Sequence, residues 1–153
     1  MPANTAPIFT LVPEVVSTKI PTANAQVRSD GVTAGTGADI VYLAFAAGAD
    51  GSFVDRVRFQ PVAAAAAVNT IATTLRAYLS TVAAPGATTA VNTNLLGEVS
   101  VPIVAAANSI NATSWYELAV GFPIPAGTYI HVSQHVAQTA NAFWQATVIG
   151  GDY

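Results

Sequence analysis

ELAVGFPIPAGTYIHVSQHVAQTANAFWQATVIGGDY, residues 117–153, reads as three strands separated by a Pro-Gly turn and a polar loop. Between Tyr129 and Val136 the apolar Ile130, Val132 and Val136 alternate with Tyr129, His131, Ser133 and His135, which predicts a strand with one buried face. From Phe143 to Ile149 bulk falls on both faces, with Trp144, Ala146 and Val148 on one and Phe143, Gln145, Thr147 and Ile149 on the other. A strand loaded in this way belongs in the middle of a sandwich. Pro123 and Pro125 close the preceding strand and Gly127 sets the turn. Proline fixes φ and offers no donor to a ladder, whereas glycine accepts positive φ.

The same punctuation runs through the rest of the chain. Ile40–Ala46 and Phe53–Gln60 flank the turn residues Gly48, Asp50 and Gly51, which predicts a hairpin. Strict alternation in the second arm sends Phe53, Asp55, Val57 and Phe59 one way and Val54, Arg56 and Arg58 the other. Arg56 and Arg58 therefore share a face, about 7 Å apart, and suit a carboxylate of a neighbouring molecule, a solvated strand face or a bridge to Glu98 or Glu117 across the sheet. Ala63–Ala67, too short to nucleate a helix alone, reads as a connector. Asn69–Thr81 predicts a strand with Arg76 and Tyr78 facing outward. Leu95–Val104, with Leu95, Val99, Val101 and Ile103 inward, and Trp115–Phe122, with Tyr116, Leu118, Val120 and Phe122 forming its apolar face, complete the set. Eight or nine short strands without a long helix predict an all-β, antiparallel two-sheet sandwich of jelly-roll or Greek-key type. Residues 22–153 are expected to form its single domain. Residues 1–21 carry Pro2, Pro7, Pro13 and Pro21 around two apolar runs, so this segment is expected to be an arm packed on a neighbouring subunit or an edge strand of its own domain.

Composition narrows the functional classes. Of 153 residues, 52% are hydrophobic and only 8% charged, against roughly 25% charged in an ordinary soluble domain. No apolar run approaches the ~18 residues of a membrane-spanning helix, and no basic region precedes an apolar block at the start, so neither membrane insertion nor a secretory signal is expected. With net charge -3 and five cations, there is no electrostatic footprint for nucleic acid. The absence of cysteine removes disulfides, thiolate nucleophiles and cysteine-based zinc sites.

Catalytic and metal chemistry find little support. Asp30, Asp39 and Asp50 are scattered, without the dense oxygen ligands of a calcium loop. His131 and His135 on a strand would stand about 13 Å apart, too far for one ion, and Ser133 has no acid nearby to complete a triad. Glu98 and Glu117 could flank a glycosidic bond only if the fold brought them together. The triplet Asn111-Ala112-Thr113 matches a glycosylation acceptor, but the match carries no weight without a signal peptide. Trp115, Trp144 and the five tyrosines are candidate sugar platforms, although tryptophan in a small sandwich usually packs the core. A non-enzymatic protein without cofactor or metal is expected.

Five stretches together, PANTAPIFTLVP, FAAGADGSFVDRVRFQPV, NTNLLGEVSVP, LAVGFPIPAGTYIHVS and TVIGGDY, resemble small structural proteins of tailed bacteriophages and prophages, in order and over most of the chain. The resemblance implies a capsid decoration (cement) protein, made in the host bacterial cytoplasm and placed on the outer capsid surface of the virion. It also allows a tail- or fibre-associated module that recognises host-surface glycans. The expected partners are the major capsid protein and further copies of the chain, a trimer fitting local three-fold positions by analogy. The expected contacts are Pro2, Pro7, Ile8, Phe9, Leu11 and Pro13 of the arm and the Arg56/Arg58 face. A surface so poor in charge favours association, and repeated docking on a lattice multiplies weak contacts.

Overall fold

A computed structural model of the chain describes residues 10–21, 23, 41–63, 68–89, 91–106 and 114–153. Among these it forms β1 (Val12–Ile20), β2 (Tyr42–Ala46), β3 (Ser52–Ala63), β4 (Val68–Asn69), β5 (Thr73–Ser80), β6 (Thr93–Val101), β7 (Ala105–Ala106), β8 (Tyr116–Ile124), β9 (Tyr129–Gln134) and β10 (Ala142–Asp152). The only helical segment among the described residues is a 3-10 turn, Pro85–Ala87. Two four-stranded antiparallel sheets, β1-β10-β3-β8 and β2-β9-β5-β6, pack face to face, and β4 with β7 makes a small ladder at one end.

The pairing is nested. β1 pairs with β10, β2 with β9, β3 with β8 and β5 with β6, all antiparallel. The chain is thus one long hairpin with β5–β6 at its tip, folded over so that β10 lies beside β3 and β9 beside β5. This is the jelly roll, the fold expected from the sequence. Its core joins Trp144, Ala146 and Val148 of β10 to Val54, Val57 and Phe59 of β3 and, from the facing sheet, Phe45, Leu75, Ala77, Ile130 and Val132. Gly97 on β6 lies under Leu118 of β8, where an added Cβ would meet the leucine side chain. The two sheets therefore close against each other along that side.

The turns follow the residues. Gly127 has φ +72°, and Thr128 donates to the Pro125 carbonyl from both its N–H and its hydroxyl. At the β2–β3 turn the Gly48 N–H donates to Ser52 Oγ and to Asp152 Oδ1, while the buried Ser52 hydroxyl donates to the same carboxylate. The last strand thereby holds the first tight turn.

Five expectations need correction. β2 and β3 do not form a hairpin, because the turn between them carries the chain from one sheet to the other, where β2 pairs with β9 and β3 with β10 and β8. The alternation of β3 breaks at Asp55, where the register against both neighbours shifts, so Val54 joins Val57 and Phe59 in the core and Phe53 is only half-buried. A bulge moves one residue to the other face, which strict alternation does not anticipate. A shift near Leu96 likewise leaves Leu95 exposed, while Leu96 packs against the core, and Ile103 lies exposed beyond the end of β6. Arg76 and Tyr78 face outward, as expected, but are buried there rather than solvated. β9 is buried on both faces, not one, since His131 and Ser133 are as inaccessible as Ile130 and Val132.

Candidate functional site

The outer faces of the two sheets differ in kind. On the β2-β9-β5-β6 sheet the outer face is a buried polar layer. Arg76 and Tyr78 on β5 stand opposite Ser133 and His131 on β9, and Arg76 stands opposite Glu98 on β6. Arg76 Nε donates to Glu98 Oε2 at 3.1 Å, and the Tyr78 hydroxyl and Ser133 Oγ lie 3.1 Å apart. Ser80 Oγ bonds Thr93 Oγ1 at 2.9 Å. The β5–β6 connection bends back over this layer, so that the Val82 carbonyl accepts a hydrogen bond from His131 Nε2 at 2.9 Å. Burial pushes the Tyr78 hydroxyl up and the His131 imidazole down from their ordinary pKa values, in each case because the charged form is poorly solvated there.

This layer has no nucleophile aligned with a base. Ser133 pairs with Tyr78, and His131 is turned to a backbone carbonyl, so the two do not form a dyad. Among the described residues no group of three or more His, Asp or Glu could hold a metal ion. Glu98 and Glu117 lie on outer faces of different sheets, each joined to arginine, and so do not flank a common bond.

The β1-β10-β3-β8 sheet presents the opposite character, an open face of side-chain rows. One row runs Ser17, Thr147, Arg58, Glu117 and the next runs Val15, Ile149, Arg56, Ala119. Ser17 Oγ and Thr147 Oγ1 are 2.8 Å apart. Arg58 Nη2 lies 2.7 Å from Glu117 Oε1, and Arg56 reaches both Glu117 Oε2 at 3.2 Å and Asp55 Oδ2 at 2.6 Å. Arg56 is raised above its ordinary pKa mainly by its hydrogen bond to Asp55, and the Glu117 carboxyl is lowered mainly by the hydrogen bond from Arg58. The arginine face thus takes the form of the intramolecular bridge to Glu117. The Arg58 guanidinium also sits 5.4 Å from the ring centre of Trp115, which is 59% exposed. Trp144, by contrast, is wholly buried, with Tyr116 packed edge-on against it at 5.8 Å.

Among the described residues β1 is the edge strand that borders this face. Among the expected arm residues, Leu11 is exposed beside β1 and Pro13 lies on it, while Pro2, Pro7, Ile8 and Phe9 fall outside the described residues, as do Asp30, Asp39 and Asn111–Thr113. At the other end of β1 a shallow cleft of about 280 Å³ opens between Lys19, Pro21 and the β9–β10 connection, with Lys19 Nζ 4.2 Å from the ring centre of Phe143. Sequence reading missed the buried polar layer, because residues such as Arg76 and Ser80 alternate as solvent-facing residues do. It also missed the extent of exposed apolar surface on β1, which depends on how far the facing sheet reaches.

Comparison with protein-family models, curated proteins and solved structures finds no match.

Proposed function

We propose that the chain is a non-enzymatic structural protein of a tailed-phage particle, a decoration or cement protein that binds the outer capsid and reinforces capsomer junctions. The observation that carries this reading is the open face of the first sheet, bordered by the exposed apolar edge strand β1. Such a surface suits docking on other protein subunits. The jelly roll, a fold frequent in capsid and lectin domains, supports the reading by analogy, as does the sequence resemblance to virion proteins. The major capsid protein and further copies of this chain are the proposed partners.

Quantitative mass spectrometry of purified virions provides the test. A copy number in simple ratio to the major capsid protein is expected. Deleting residues 2–9, ahead of the β1–β10 ladder, is expected to leave the fold intact and to remove the protein from capsids. Unchanged occupancy would exclude the arm as the contact, and absence from the particle would reject the reading. One observation favours a second reading, a tail- or fibre-associated module for host glycans: Trp115 is exposed and oriented beside Arg58. That reading predicts a handful of copies per virion and saturable binding to host polysaccharide that Trp115→Ala removes.

A further inference from the structure

Among the described residues only β10 pairs with β1, so the other edge of β1 carries no ladder. Through the ladder to β10, Val16 shares a face with Val148, Thr18 with Ala146 and Ile20 with Trp144, all core residues of β10, so the even-numbered residues of β1 point toward the sandwich interior. Ile20 is fully buried there, but Val16 is 38% and Val12 55% exposed, because the facing edge strand β2 has only five residues. On the other face Val15 is 70% exposed, and Leu11 just ahead is 80% exposed. Natural edges are protected by shortness, bulges, prolines and charge. β1 is nine residues long and regular throughout its pairing, with one proline near its start and Glu14 and Lys19 as its charges.

We infer that β1 pairs with β1 of a second copy, antiparallel about a two-fold axis at Val16, joining the two β1-β10-β3-β8 sheets into one continuous eight-stranded sheet. The register follows from the residues. A two-fold axis normal to a sheet keeps each side chain on its own face, so residues of equal parity must meet. With the axis at Val16, the inward face sets Val16 against Val16, Glu14 against Thr18 and Val12 against Ile20, apolar meeting apolar and carboxylate meeting hydroxyl. Glu14, whose ladder partner on β10 is Gly150, gains a side chain opposite it. Moving the axis one residue either way would set Glu14 against Val16 or Ile20. Parallel pairing would align like charges at both Glu14 and Lys19. The occupant of this edge is therefore a second copy rather than an unrelated strand.

Sedimentation of the purified full-length chain tests the inference independently of any virion role. A dimer is expected, with Thr18→Glu weakening it about tenfold, because it sets carboxylate against Glu14 twice across the axis, and Glu14→Lys combined with Thr18→Glu restoring it, because opposite charges then meet. As the natural chain has no cysteine, Val16→Cys supplies a single thiol at the axis. It is expected to form a disulfide-linked dimer under mild oxidation, whereas Val91→Cys, on an exposed turn, is not. A monomeric wild-type chain would overturn the inference, as would a dimer indifferent to Thr18→Glu or one that Val16→Cys cannot cross-link.

Discussion

His131 shows how one residue couples burial to pH. Its ring is inaccessible, its Nε2–H is committed to Val82, and its Nδ1 is buried without a partner. Protonation would charge a ring that burial withholds from solvent, which is why the group is held below its ordinary value of 6.5. The direction of the pH effect follows. Below 6.5 the unfolded chain takes up a proton that the folded chain refuses, so the contribution is complete above that value and is lost as pH falls toward the lower folded value. The urea midpoint is therefore expected to drop between about pH 7 and 5, and His131→Gln to flatten the drop. An identical pH slope in the variant would show that His131 is not the source. None of this was legible in the spacing of His131, Ser133 and His135, which reads as a solvated strand face.

At the scale of the element, bulges and glycines decide which side chains reach the core. β3 was recognisable as a strand from its alternation, but the shift at Asp55 decides that Val54 and Val57 are both inside. Beside that shift, β10 passes β3 at Gly150, where an added Cβ would collide with the Phe53 carbonyl oxygen. Backbone cannot yield as a flexible side chain can. Gly150→Ala is therefore expected to cost about 1–3 kcal/mol, the range for overpacking a fixed site, read from the shift in urea midpoint. An unchanged midpoint would mean that β10 and β3 separate there without loss. The Gly-Gly pair in TVIGGDY thus has a packing reason that single-sequence reading does not supply.

For the whole molecule, nested pairing makes the first long strand depend on the last. Pairing β1 with β10 closes nearly the whole described chain into one loop, and this cost in loop closure slows folding. Refolding followed by the fluorescence of the buried Trp144 is expected to fall in the millisecond-to-second range of all-β sandwiches. Microsecond refolding would contradict that dependence. The same nesting leaves β1 at an edge, next to the open face on which the proposed docking relies.

The sequence by itself determined the all-β class, most strand positions, the Pro125–Gly127 turn and the shared face of Arg56 and Arg58. These depend on local periodicity, on φ preferences and on the fixed two-residue repeat of a strand, all carried by neighbouring residues. Only the tertiary structure decided that Arg56 and Arg58 both bind Glu117, that Arg76, Tyr78 and His131 lie buried, and that Val12 and Val16 point inward yet remain exposed. Each of these depends on which distant strand, loop or sheet edge arrives opposite the residue. Alternation within a strand separates its two faces, but only packing determines what covers them.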